Sequence, residues 1–170
     1  MVAEKARVLE ILNPNKWHGC VRSRIPAAAS RVWKIASDFC GLHKIMPVVD
    51  VCERPQGQDG APGCVRFYTM DFPARLPGGR RKAWAKDRLV SRDNEKLCFV
   101  FQAEGNNLSL EDCLVNVMLY EGMDKSTIVN WSFEVSARSP TTKDKALGDL
   151  TEFANAYLKG LEMAAMSRSN

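Results

Sequence analysis

The segment TTKDKALGDLTEFANAYLKGLEMAAM, residues 141–166, decides the fold of this chain. Apolar residues recur in it at intervals of three or four, the spacing of one helix face. They are Leu147, Leu150, Phe153, Ala154, Tyr157, Leu158, Leu161 and Ala165. Thr141 and Asp144 stand at capping-box spacing. The pattern predicts an amphipathic helix over 142–166, about 37 Å long at ~1.5 Å per residue.

Before this helix, short strand-like runs alternate with turns. The runs with strand character are 16–25, 48–53, 64–70, 81–91, 97–104, 108–120 and 127–137. Two short helices are predicted after the first run, at 27–39 and 42–46. Turn signals at 55–63, 72–79 and 122–125 leave little room for crossover connections. The order predicts an α+β helix-grip fold, in which a curved antiparallel sheet of about seven strands wraps around a long C-terminal helix.

Length and composition limit the possible classes of protein. The chain has 170 residues, of which 45% are apolar and 26% are charged, which is typical of one globular domain. We expect residues 1–14 to be flexible or loosely packed and residues 15–170 to form a single ligand-binding domain. No stretch approaches the roughly 20 apolar residues of a membrane span, and the N-terminus lacks a signal-peptide core. We therefore expect no membrane span and a cytoplasmic location.

Cysteines, histidines and charge exclude several kinds of site. The six cysteines show no CxxC pair or zinc-like spacing, and there are only two histidines, so we expect reduced thiols and no metal site. A net charge of +4 is too small to indicate nucleic-acid binding. Both a monomer and a weak dimer are compatible with the sequence.

Alternation along the strands predicts which side chains face inward. In 127–137 the inner set contains Val129 and Trp131, and in 81–91 it contains Ala85 and Leu89 with one carboxylate, Asp87. A buried carboxylate is costly unless it is paired.

The strand 64–70 offers Asp87 a partner. Arg66 shares a face with Cys64 and Tyr68, and if that face is inner, Arg66 and Asp87 meet on neighbouring strands. The opposite face, with Val65 and Phe67, is also apolar, so the pattern allows either orientation.

Several segments in order resemble a known family. They are 16–19 (KWHG), 42–47 (LHKIMP), 51–53 (VCE), 63–67 (GCVRF), 84–87 (WAKD) and 130–133 (NWSF). Together they resemble plant lachrymatory factor synthases and their plant homologues, over roughly residues 16–166. These belong to the START and birch-pollen-allergen superfamily, also named polyketide cyclase/dehydrase and lipid transport proteins.

The resemblance implies a fold, an activity and a pair of catalytic residues. The family enzyme rearranges a small alkenyl sulfenic acid to a thial S-oxide without a cofactor, so we expect no cofactor here. The catalytic arginine of the Gly-Cys-Val-Arg motif corresponds to Arg66. The catalytic glutamate of the Trp-Ala-Lys-Glu motif corresponds to Asp87, one methylene shorter. Two pocket tyrosines of the family correspond to Phe101 and Cys113, so both hydroxyls are replaced.

Two functions follow from these residues. In the first, the chain is a cofactor-free isomerase or cyclase, with Arg66 anchoring a ligand oxygen and Asp87 moving a proton, the alternative for these two residues being a structural cross-strand ion pair. In the second, it is a non-catalytic carrier or sensor of a lipophilic plant metabolite. Both require a small hydrophobic molecule as partner and an internal cavity. We expect that cavity to be lined by Phe101, Cys113, Trp131, Phe133, Tyr157, Leu42 and Met46, the alternative being a plain hydrophobic core.

Overall fold

The computed structural model describes residues 13–71 and 82–167 of the chain. Its elements are β1 Lys16–Ile25, α1 Ala29–Ala36, a 3-10 helix Phe39–Gly41, α2 Leu42–Ile45, β2 Val49–Gln56, β3 Val65–Asp71, β4 Lys82–Asp93, β5 Cys98–Asn106, β6 Leu114–Glu121, β7 Thr127–Ser136 and α3 Lys143–Met166. The predictions of a loosely packed segment at 1–14 and of a reversal at 72–79 fall almost wholly outside the described residues.

The seven strands form one antiparallel sheet in the order β1-β7-β6-β5-β4-β3-β2. Strands β2 to β7 follow one another as a meander, and β1 pairs with β7 along its whole length. Helix α3 packs against β1, β7, α1 and α2, so the core lies between the sheet and this helix. The predicted helix-grip architecture is confirmed. Within the described residues, no helix is both long enough and apolar enough to cross a membrane.

The predicted inner faces of the strands are confirmed by burial. Val129, Trp131, Ala85 and Leu89 are all buried, and Trp131 is 1% exposed. The open choice on β3 is also resolved, because Cys64, Arg66 and Tyr68 are buried on the inner side. The sheet therefore presents one apolar face that includes a cation and a carboxylate.

Two predicted boundaries were wrong by a few residues. The N-cap of α3 is Thr142, whose Oγ1 accepts a hydrogen bond from the Lys145 amide at 3.2 Å, one position later than the capping box expected at Thr141. The strand predicted from residue 108 begins only at Leu114. Ser109 and Asp112 have φ values of 59° and 48°, which interrupt the extended backbone.

The resulting β5–β6 loop is organised by one side chain. Asn106 Oδ1 accepts hydrogen bonds from the Leu108 and Leu110 amides, and its Nδ2 donates to the Leu110 carbonyl at 2.9 Å. An asparagine that bonds nearby backbone groups in this way competes with strand pairing. Apolar residues that would otherwise continue β6 are therefore held in a loop.

A glycine lies where helix α3 packs closely against α2. A Cβ atom placed on Gly160 would lie 1.8 Å from the Ile45 carbonyl oxygen, which no side chain can accommodate without backbone movement. Gly148, earlier in the same helix, is exposed and has no atom within 4 Å of such a Cβ. Substitutions at the two glycines therefore distinguish the effect of close packing, at Gly160, from the effect of helix propensity, at Gly148.

We predict that Gly160→Ala lowers the free energy of unfolding by about 1–3 kcal/mol, since overpacking forces α2 and α3 apart. Gly148→Ala should leave stability unchanged or raise it by about 0.5–1 kcal/mol, because alanine favours helix. Urea denaturation of the two variants measures both effects. Equal stability of the two variants would contradict the close α2–α3 contact.

Candidate ligand-binding site

Arg66 on β3 and Asp87 on β4 form a buried ion pair. The antiparallel register places the two residues directly opposite each other on the inner face. Arg66 Nε and Nη2 donate to Asp87 Oδ2 at 3.1 and 3.0 Å. Their side chains are 4% and 3% exposed, so neither charge is screened by solvent. Such a pair fixes the carboxylate in one orientation.

Aromatic rings enclose the guanidinium of Arg66. Its Cζ lies 4.2 Å from the ring centre of Phe39 and 4.6 Å from that of Phe101. The ring centre of Tyr68 is 5.3 Å away. The remaining terminal nitrogen, Nη1, donates to the Phe39 carbonyl at 3.0 Å. The 3-10 helix therefore contributes both a ring and a backbone acceptor, which together hold the cation in place.

Burial and neighbouring groups shift the pKa values of Arg66, Tyr68 and Asp87. Burial raises the pKa of the Asp87 carboxyl, and the Arg66 guanidinium and Tyr68 hydroxyl offset part of that rise. Burial disfavours the charge on Arg66, but Asp87 together with Tyr68 and Cys52 outweighs this effect, so the pKa of Arg66 lies above its usual range. Burial and the nearby Asp87 raise the pKa of Tyr68 well above its ordinary value. Asp87 is therefore a better proton acceptor than an ordinary carboxylate.

A mostly apolar cavity lies between the sheet and the first half of α3. The centre of a water molecule can occupy about 40 Å³ of it, and the empty volume reaches about 480 Å³ only when the adjoining open solvent is included. The lining residues are Tyr68, Met70, Ala85, Asp87, Phe101, Ala103, Asn106, Leu108, Leu110, Cys113, Val115, Trp131, Asp149, Leu150 and Phe153. Asp87 therefore belongs to the ion pair and also lines the cavity.

The structure divides the residues proposed from sequence into two groups. Asp87, Phe101, Cys113 and Trp131 line this cavity. The others are buried but lie outside its lining: Arg66, Leu42, Met46, Phe133 and Tyr157. Arg66 does not line the cavity, but its ion-pair partner Asp87 does, as do Tyr68 and Phe101, whose rings contact the guanidinium.

Two residues of the lining, Phe101 and Cys113, carry no charge at neutral pH. Phe101 presents an apolar ring, and burial raises the pKa of the Cys113 thiol to about 12, so that thiol stays protonated. Neither side chain supplies a proton-transfer group at neutral pH. The Tyr157 hydroxyl is buried, and no described residue donates to it or accepts from it.

Sequence reasoning missed part of the site. Tyr68 shares the inner face of β3 with Arg66, so alternation alone could have identified it. Leu108 and Leu110 continue a strand pattern, but the loop that Asn106 holds brings them into the cavity lining. Asp149, in an ion pair with Lys145 at 2.5 Å, lines the cavity from α3. Its position within a helical segment gave no sign of that role.

Comparison with known proteins places the chain in a family. The model of the polyketide cyclase / dehydrase and lipid transport family matches residues 18–166. The chain belongs to this family. The match spans β1 to α3 and therefore includes the ion pair and every residue of the cavity lining.

Solved structures of similar fold come from plants and bacteria. Ginseng major latex-like protein 151 from Panax ginseng is 16% identical, with a TM-score of 0.72, over 90% of this chain and 99% of that one. The protein XoxI from Bacillus cereus is also 16% identical, with a TM-score of 0.71, over 88% and 96% of the two chains. A Bacillus thuringiensis protein described as uncharacterized is 16% identical, with a TM-score of 0.71, over 89% and 100%. These likenesses concern the fold.

A double-mutant cycle tests the ion pair. We predict that Arg66→Met and Asp87→Leu each lower the free energy of unfolding by about 3–5 kcal/mol, because each leaves one buried charge unpaired. The double variant should lose clearly less than the sum. Chemical denaturation measures the coupling.

The Lys82–Asp50 ion pair, at 2.9 Å between solvent-accessible side chains, is the matched control and should show far weaker coupling. Additive effects at Arg66 and Asp87, within about 0.5 kcal/mol, would contradict the buried pair.

Proposed function

We propose that this chain binds a small, mostly apolar molecule in the cavity beside Asp87 and isomerises it without a cofactor, as a lachrymatory factor synthase does. One observation supports this above the others. A buried carboxylate, fixed by an arginine, is part of the wall of an otherwise apolar cavity. Burying a charge there costs free energy that a purely structural role does not require, since an apolar pair of similar volume stabilises a core at least as well.

Asp87 would act as the group that moves the proton. Both bonds from Arg66 end on Oδ2, so the orientation of the carboxylate is set before a ligand arrives. In the sulfenic acid rearrangement, the S–OH proton leaves oxygen and a proton is added to the distal alkenyl carbon. The C=C π electrons form the new C–H bond, a lone pair of the sulfenate sulfur forms the C=S bond, and no other reagent is needed. One carboxylate can serve as base and then as acid.

Arg66 would act as a positioning residue for Asp87. From the sequence we expected it to anchor an oxygen of the ligand. Its Nε, Nη1 and Nη2 instead donate to Asp87 and Phe39, and it lies outside the cavity lining. Tyr68 lies on the cavity wall and its protonated hydroxyl interacts with Asp87, so it acts with Arg66 to stabilise the carboxylate.

We predict that Asp87→Asn and Arg66→Leu each abolish turnover of a small alkenyl sulfenic acid generated in situ. Wild-type activity should decline as pH falls through the raised pKa of Asp87, since the base form must be ionised. In a slow variant such as Arg66→Lys, the acid limb of the profile should move if the arginine tunes Asp87. Stopped-flow measurements of kcat/KM against pH give both results.

The exposed carboxylate of Glu53 provides a matched control, and Glu53→Gln should retain wild-type turnover. Circular dichroism of each variant separates loss of chemistry from loss of fold. Wild-type rates in Asp87→Asn would exclude the proposed proton transfer.

A second function, that of a non-catalytic carrier, is favoured by a different observation. Phe101 and Cys113 line the cavity without an ionisable group at neutral pH, where the resembled enzymes have tyrosines. A more apolar wall suits retention of a lipophilic molecule. Such a carrier would use the same cavity and would not need Asp87 to change protonation state.

We predict that small apolar ligands stabilise the protein by RT ln(1 + [L]/Kd), about 2.7 kcal/mol at a hundredfold excess over Kd. Ala103→Leu, which fills the cavity, should abolish the shift, and Val90→Leu on the exposed face should not. Differential scanning fluorimetry measures both. Ligand stabilisation that persists in Asp87→Asn, together with no turnover by the wild type, would identify a carrier.

A further inference from the structure

Three potential metal-binding residues converge beside the 3-10 helix, outside the cavity described above. Cys40 lies in that helix, Cys64 immediately precedes β3, and Asp59 lies in the β2–β3 loop. The two Sγ atoms are 3.6 Å apart, and these sulfurs and a carboxylate oxygen of Asp59 all lie within 4.8 Å of one another. Cys64 is fully buried, Cys40 is half-buried and Asp59 is exposed, so the cluster opens to solvent on one side.

Three glycines and one arginine fix the conformation of the loop that bears Asp59. Gly57, Gly60 and Gly63 have φ values of 84°, 71° and 91°, the left-handed region that favours glycine. Arg92 Nη1 donates to the carbonyl of Gly60 at 3.3 Å and to that of Ser37 at 3.2 Å. One side chain thereby ties this loop to the segment that leads into the 3-10 helix.

The spacing of the donors fits one class of metal ion. With Zn–S bonds of about 2.3 Å, a tetrahedral centre separates two sulfurs by about 3.8 Å. The observed 3.6 Å is close to that edge, whereas a disulfide would require the sulfurs to approach to about 2.05 Å. Two thiolates with one carboxylate suit a borderline-soft divalent cation rather than Mg²⁺ or Ca²⁺.

We propose that Cys40, Asp59 and Cys64 bind Zn²⁺ or a similar thiophilic divalent cation. These three residues supply three of the four positions of a tetrahedral site, and solvent supplies the fourth. The site departs from our expectation of no metal, which rested on the lack of zinc-like spacing. The two cysteines lie 24 residues apart in the sequence, and only folding brings them together.

The place of this site in the fold gives it a structural role. Cys40 follows Phe39, whose ring and carbonyl contact Arg66, and Cys64 lies two positions before Arg66 itself. A cation bound here would join the 3-10 helix to the start of β3. It would thus brace the wall that holds the guanidinium, whether or not the protein is an enzyme.

Titration of the reduced 170-residue chain with Co²⁺ tests the proposal. Wild type should develop thiolate-to-cobalt charge-transfer absorption and the visible bands of a tetrahedral ion, with one equivalent bound. Added Zn²⁺ should displace the cobalt and raise the melting temperature. Cys40→Ser should lose most of the charge-transfer band, and Asp59→Asn should weaken affinity at least tenfold.

Matched controls use residues of the same type outside the cluster. Cys20→Ser and Asp50→Asn replace an exposed cysteine and a partly exposed aspartate, and both should bind Co²⁺ like the wild type. Asp59 is exposed, so its variant should fold even if a cysteine variant does not. Absence of charge-transfer absorption in reduced wild type, or wild-type affinity in Asp59→Asn and Cys40→Ser, would overturn the proposal.

Discussion

The Arg66–Asp87 ion pair imposes a strict requirement on the rest of the molecule, because an unpaired charge at this depth would cost several kcal/mol. The β3–β4 register must set the two residues opposite each other, since a slip of one residue would turn one side chain to the outer face. The 3-10 helix must also lie against the guanidinium to accept its third hydrogen bond. Sheet register and helix placement are therefore linked through two side chains.

Most of the fold could be predicted from periodicity. The three-and-four spacing of 147–165 gives α3, and two-residue alternation gives the inner faces of β4 and β7. Prediction failed where a local side-chain bond opposed the pattern. Leu108 and Leu110 continue an apolar strand pattern, but Asn106 holds their amides in a loop. The exact start of α3 likewise depended on which of two adjacent threonines caps the helix.

The candidate site was only partly accessible to sequence reasoning. Asp87 was identified because a carboxylate on an apolar face needs a partner, and the inward position of Arg66 followed once β3 was oriented. The assignment of cavity lining was weaker. A buried residue such as Phe133 or Met46 has the same pattern whether it borders empty space or packs in a solid core. The Cys40, Asp59 and Cys64 cluster arises from a loop conformation, which no strand or helix period encodes.

Phe39 contacts Arg66 through two different parts of one residue. Its ring stacks on the guanidinium, whereas its carbonyl accepts the Nη1 hydrogen bond. Every amino acid has that carbonyl, but few have such a ring. A substitution at position 39 can therefore change the polarity next to the guanidinium, while the backbone carbonyl still orients the arginine. In relatives with another residue at this position, we expect the arginine to keep its orientation and the polarity around it to differ.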